Sequence, residues 1–103
     1  MGESADGEFR VLDNPAGGRY EAYVGDDLAG FVTYSRSGHQ VTFTHTLVEP
    51  AFEGQGIGGR LAAGALNDVR DHRDTVVARC PFVAEYIRRH PAYGDLLAPE
   101  APV

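Results

Sequence analysis

The stretch Gln40-Val41-Thr42-Phe43-Thr44-His45-Thr46-Leu47-Val48 and, after five intervening residues, Gly54-Gln55-Gly56-Ile57-Gly58-Gly59 decides the fold. The first nine residues alternate and are rich in β-branched types. Val41, Phe43, His45 and Leu47 fall on one face of a strand, and Thr42, Thr44, Thr46 and Val48 on the other. After Pro50 the period changes: Ile57, Leu61, Ala65, Leu66 and Val69 recur at helical spacing to about Asp71. Between the two lies a glycine run. A helix that opens on glycines presents unpaired N–H groups and the positive end of its dipole, with no Cβ to keep a phosphate away.

Upstream, Glu8 to Leu12, Arg19 to Val24 and Leu28 to Tyr34 read as strands. The turn chemistry of Asn14-Pro15-Ala16-Gly17-Gly18, Gly25-Asp26-Asp27 and Ser35-Arg36-Ser37-Gly38 separates them. Downstream, Thr75 to Ala78 reads as a short buried strand. A second helix then opens on Pro81, carries a Phe82, Val83, Tyr86, Ile87 stripe and stops at Pro91. The order β-β-β-β-α-β-α predicts an α/β (α+β) chain with a mixed sheet, an antiparallel meander plus one β-α-β crossover. One domain over 8–97 is expected, between a flexible N-terminus, 1–7, and a C-terminal tail, 98–103.

Composition narrows the function classes. With 103 residues, 43% apolar and 23% charged, the chain reads as one ordinary globular domain. No stretch approaches the roughly 20 apolar residues of a membrane span. The acidic start MGESADGE is no secretory signal, and a single cysteine, Cys80, permits no intramolecular disulfide, so a cytoplasmic setting is expected. No metal is expected, because Cys80, His39, His45, His72 and His90 lack paired ligand spacing. Net charge is −6 and the pI about 5.0, which argues against nucleic acid as a partner. The charge is uneven. Residues 60–90 hold six arginines against four acids, just behind the glycine run, which suits a small anionic ligand. Lysine is absent, so Schiff-base catalysis is closed.

Three readings of the glycine run compete. A Walker A loop would end in Gly-Lys-Ser/Thr, whereas this run continues Gly58-Gly59-Arg60-Leu61. The dinucleotide fingerprint G-x-G-x-x-G matches literally at Gly54, Gly56 and Gly59. It belongs, however, in the first turn of a long parallel sheet, not behind four antiparallel strands. The third reading is a family. Strand, loop Glu53-Gly54-Gln55-Gly56-Ile57-Gly58, helix, short strand and second helix resemble the acyl-CoA-binding core of the GNAT acetyltransferase superfamily, over roughly Phe9 to Leu97. Thr44-His45-Thr46, Cys80-Pro81-Phe82-Val83, Tyr86-Ile87 and His90-Pro91 look like its small stand-alone members. Of the superfamily signature Arg/Gln-x-x-Gly-x-Gly/Ala the chain keeps Gly56 and Gly58 and replaces the first position by Glu53.

That resemblance implies an N-acetyltransferase using acetyl-CoA as cosubstrate, or a non-catalytic acyl-CoA-binding module. The third, cofactor-free alternative is a dimeric interaction domain. The resemblance implies that Gly54, Gln55, Gly56, Ile57, Gly58, Gly59 and Arg60 hold the CoA pyrophosphate, and that the backbone near Leu47 and Val48 meets the pantetheine arm. The acceptor it implies is an amine on a small molecule or a protein, and the assembly a monomer or homodimer. Small relatives often read His-Thr-Glu-Val where this chain has His45-Thr46-Leu47-Val48, so the expected carboxylate base is missing. His45 is the candidate replacement, since a neutral imidazole accepts protons near pH 7. Cys80, at the start of the second helix, is the other catalytic candidate, against the alternative of a small buried hydrophobe. Tyr86 and Tyr93 read as general acids or as packing. Arg88 and Arg89 read as partners of the CoA 3′-phosphate or as solvated surface.

Overall fold

The computed structural model describes residues 8–99, so the expectation for 1–7 and most of the expected tail lie outside the described residues. Five strands form one sheet in the order β1-β2-β3-β4-β5: β1 Phe9–Asn14, β2 Arg19–Val24, β3 Asp27–Ser37, β4 Gln40–Val48 and β5 Thr75–Ala78. The first four are antiparallel neighbours and β5 joins β4 in parallel, the mixed sheet expected from the sequence. Helix α1, Ile57–Asp71, makes the crossover, and α2, Pro81–Arg89, follows β5. A 3-10 segment, Pro91–Leu96, extends the chain past α2. The Ala98 N–H then bonds the Val76 carbonyl at 2.7 Å, which ties the chain to β5 one residue past the expected domain edge.

Alternation builds the core. Tyr20 and Ala22 of β2, Val32 of β3, Val41 and Phe43 of β4 and Val76 of β5 are all buried on one sheet face. Leu61, Ala65, Leu66 and Val69 of α1, with Val83 and Ile87 of α2, pack on them in the same cluster. Gly64 permits the close approach of α1 to β1, since a Cβ there would stand 2.7 Å from Val11 Cγ2.

Strand ends shift by one to three residues, β1 running on to Asn14 and β3 starting at Asp27, and two differences from the sequence reading bear on the site. β3 runs on to Ser37, and the turn that ends it is Gly38-His39, with Gly38 at φ 59° and Ser37 paired to Gln40. A two-residue hairpin of this kind needs positive φ where it starts, so Gly38 sets the turn and Ser35 and Arg36 stay in the ladder. The second difference is larger. Thr33 pairs with His45 but Tyr34 with Phe43, so Thr44 is an extra residue, a β-bulge in β4. The bulge inverts the alternation beyond it: Val41 and Phe43 point into the core, Thr44 and His45 both lie exposed, and Thr46 and Val48 return towards the core. The expected single face Val41, Phe43, His45, Leu47 is thereby corrected to two half-faces.

Candidate functional site

The β4–β5 ladder ends at Phe43↔Ala78. There the Phe43 carbonyl accepts both the Arg79 and the Cys80 N–H at 3.0 Å, and the chain turns away from β4 into α2. Thr44 to Val48 thus continue without a strand partner on the β5 side among the described residues. In an antiparallel ladder, backbone groups alternate between the two sides of a strand. Leu47 pairs with Phe31 and the Glu49 N–H bonds the Ala29 carbonyl, so these serve β3. The amides and carbonyls of Thr46 and Val48 face the gap.

The glycine loop stands at the same end. Gly54 (φ 84°) and Gly56 (φ 75°) occupy left-handed conformations, and a Cβ on either would meet nothing within 4 Å. These two are therefore glycines for backbone reasons, not for space. Gly56 is the N-cap of α1 and no side chain caps the helix. The first intrahelical bond runs from the Arg60 N–H to the Gly56 carbonyl, 3.2 Å, so the Arg60 amide is already used. Ile57, Gly58 and Gly59 precede that first bond, and their amides are the orphan donors of the helix. Gly58 has a different reason: a Cβ there would come within 2.7 Å of Phe82 Cζ, so it lets α1 and α2 touch. Gln55 is exposed beside the loop, and the Arg60 guanidinium lies 3.9 Å from the Phe9 ring centroid, across the start of β1.

This cradle fits a phosphorylated ligand. Three consecutive donors lack protein caps, glycines at positive φ hold the loop open, and the dipole adds positive potential. The unpartnered edge of β4 beside it fits an extended amide-bearing arm.

Cys80 is 2% exposed at the N-cap of α2, with Sγ 3.1 Å from Thr46 Oγ1 across the gap. His45 lies on the opposite face of β4, exposed, with Leu47 (37% exposed) on its own face and the Thr33 hydroxyl donating to its carbonyl at 3.4 Å. The two catalytic candidates therefore flank β4 from opposite sides and share no hydrogen bond. Tyr86 is half-buried; burial and then the neighbouring Tyr93 push its phenol up, which keeps it protonated. Its ring stacks on His90 at 4.0 Å, and His90 Nδ1 donates to the Tyr86 carbonyl at 2.9 Å, closing the C-terminal end of α2. Tyr93 instead donates to Asn67 Oδ1 on α1. Arg88 and Arg89 both bond Glu85, at 2.5–2.9 Å.

The open sheet face holds one group that alternation alone does not flag. Glu21 is 7% exposed although it lies opposite the core face, since Asn14, Arg19 and Tyr23 all donate to its carboxylate. The Asn14 bond first, then Arg19, hold it below the usual carboxylate range. With both oxygens engaged, it is a strut and not a free base. A surface concavity of about 520 Å³ runs along β5 and α2 to Leu97 and Ala98 and is lined by no residue of β4 or the glycine loop.

Residues 19–96 match a sequence model of the GCN5-related N-acetyl-transferase family. The chain belongs to this family. The fold agrees with it: the NMR solution structure of a GCN5-like candidate N-acetyltransferase from Staphylococcus aureus superposes with TM-score 0.65 at 20% identity, over 93% of this chain and 92% of that one. No curated protein matches the sequence. Among the described residues no helix is long and apolar enough to cross a membrane, and no cluster of three or more potential metal ligands occurs.

Proposed function

We propose that this GCN5-related protein transfers an acetyl group from acetyl-CoA to an amine acceptor, a small molecule or a protein amine, in the cytoplasm. It would act as a monomer or homodimer, without nucleic acid or membrane. The observation that carries the proposal is the parting of β4 from β5 directly beside the uncapped start of α1. In this reading the amides of Ile57, Gly58 and Gly59 hold the pyrophosphate, with Gly54 and Gly56 shaping the loop and Gln55 and Arg60 beside it. The backbone of Thr46 and Val48, either side of Leu47, receives the pantetheine arm. The thioester supplies an activated acetyl group.

The chain's own part is proton handling. His45 accepts the proton that the amine loses, either directly or through a water, and solvent reaches it freely. Cys80, held by Thr46 on the other side of β4, donates a proton to the departing thiolate. A general base of this kind contributes about 10²–10⁴-fold, so His45→Ala is expected to lower kcat by about that factor while leaving acetyl-CoA binding intact. Thiol release with a panel of amines measures it. An unchanged kcat removes His45 from the chemistry. Intact mass after incubation with acetyl-CoA tests whether Cys80 itself carries the acetyl group, in which case CoA thiol is released without any amine.

One observation favours the second reading, a non-catalytic acyl-CoA-binding module. The strand residue beside His45 on the same face is Leu47, which cannot move a proton. A thermal shift with acetyl-CoA but no thiol release with any amine would establish that module instead.

A further inference from the structure

The sheet face opposite the core is uncovered among the described residues. Both helices belong to the core cluster on the other face, and β1 joins β2 through the three-residue 3-10 turn Pro15–Gly17, too short to cross the sheet. Register sets Asn14, Arg19, Thr33 and His45 side by side across four strands on this open face. The next row is Leu12, Glu21, Phe31 and Leu47, with Leu12 44% exposed. The face is flat, partly apolar and continuous with His45. A small molecule needs a concave pocket to bury it, whereas a flat apolar face with polar groups around it suits a polypeptide.

Charge decides which polypeptide. The Glu21 carboxylate already receives Asn14, Arg19 and Tyr23. Arg19 spends only Nε on it, and its two terminal nitrogens have no partner among the described residues. The Arg19 guanidinium lies 4.3 Å from the Phe31 ring centroid, so Glu21 and the ring fix it in place. Arg10, 5.4 Å from the Tyr23 ring centroid, adds a second cation. Phe31 is the diagonal neighbour of His45, about 7–8 Å away by sheet geometry. That is the span of roughly two extended residues, so a carboxylate seated on Arg19 belongs to the first few residues of an acceptor whose amine lies at His45.

The kind of amine is narrowed too. A chain N-terminus titrates at about 7.7–8.0 and a lysine at about 10.4. Leu47 supplies no carboxylate base on this strand, which favours the amine that is already partly neutral near pH 7.

Resting on the reading that acetyl transfer occurs beside His45, we propose that the acceptor is the N-terminus of an acidic polypeptide laid on this open face, and that Arg19 selects it by pairing with a side-chain carboxylate. The amine nitrogen bonds the acetyl carbon and the C–S bond breaks. One amine proton goes to His45, and the departing thiolate takes its own from Cys80.

Thiol release from acetyl-CoA is measured with four acceptors. They are a peptide whose free N-terminal residue is followed by two aspartates, its asparagine counterpart, the aspartate peptide with a blocked N-terminus and an added lysine, and spermidine. The aspartate peptide is expected to show a kcat/KM about tenfold above its asparagine counterpart, the worth of one hydrogen bond to a charged group. The difference should lie in KM and narrow as salt is raised. Arg19→Gln should abolish the ratio, and Arg19→Glu should reverse it. A ratio between two substrates does not depend on how much of a variant is folded. Spermidine or the lysine peptide as best acceptor overturns the proposal, as does a ratio that survives Arg19→Gln. If wild type releases no thiol with any amine, the transfer reading itself has failed, a different result from release without acidic preference. The docking face has its own readout, the Phe31 ring protons and Arg19 Hε on titration with the aspartate peptide. Movement of both supports the face, and no movement up to millimolar peptide overturns it.

Discussion

The two ends of the β4–β5 pair are built differently. Where the strands begin together, polar groups are knitted to one another. Arg36 and His39, at the β3–β4 hairpin, both bond the buried Asp74 ahead of β5. Tyr20 donates to Asp68 at 2.7 Å, Tyr34 to Asp13 at 2.6 Å, and Arg70 clasps Asp95 through both terminal nitrogens. Burial, with the Asp13 bond second, pushes the Tyr34 phenol up to about 12. Where the strands part, neither α1 nor α2 has a side-chain cap, two glycines sit at positive φ, and β4 runs on without a strand partner on that side among the described residues. A folded chain satisfies its buried polar groups, so the contrast separates stability from binding. The knitted end holds the strands in register; the parted end is left for a ligand.

The hardest test of that division is Gly56→Val. A β-branched residue at φ 75° costs about 1–3 kcal/mol, and it moves the amides that follow. The expected outcome is loss of the acetyl-CoA thermal shift together with a lower melting temperature. Asp74→Ala should do the reverse: about 2 kcal/mol of stability lost, with acetyl-CoA affinity unchanged. If Asp74→Ala weakened binding as much as Gly56→Val, the two ends would not be separable. The same carboxyl gives a pH signature. Bonds from Arg36 first, then His39, lower its pKa in the folded state. Its contribution is therefore present above the unfolded value near 3.9 and fades as pH falls below that. Asp74→Asn should flatten the acid limb of the stability curve below about pH 4, and an unaltered limb would remove Asp74 from it.

The two ends were also unequally legible in sequence. Element order came through because period-2 and period-3.6 patterns are local, and Gly54, Gly56 and Pro81 punctuate them. The bulge at Thr44 did not. Nothing in Phe43-Thr44-His45-Thr46 marks an extra residue, since the register is set across strands by Tyr34 and Thr33. That one residue moved His45 off the core face and turned Thr46 towards Cys80. The Asp74 knot was equally silent, because Arg36, His39 and Asp74 meet only after the crossover closes. Phe82 read as part of an apolar stripe, yet only Val83 and Ile87 of that helix are buried.

The smallest expected effect falls on Gly59, and it separates packing from ligand approach within the loop itself. Gly58 cannot take a Cβ without displacing Phe82, so Gly58→Ala confounds folding with binding. Gly59 can: a Cβ there meets only Tyr86 Cε1, at an ordinary 3.6 Å. Alanine is favoured over glycine in a helix by up to about 1 kcal/mol, less in the first turn, where Gly59 stands three residues past the cap. Gly59→Ala should therefore melt slightly higher than wild type without ligand. If the Gly59 amide lies against a phosphate, the added methyl crowds it, and the acetyl-CoA shift should shrink although the fold is firmer. A variant that gains stability and binds as before would assign Gly59 to helix geometry alone and confine the cradle to Ile57 and Gly58.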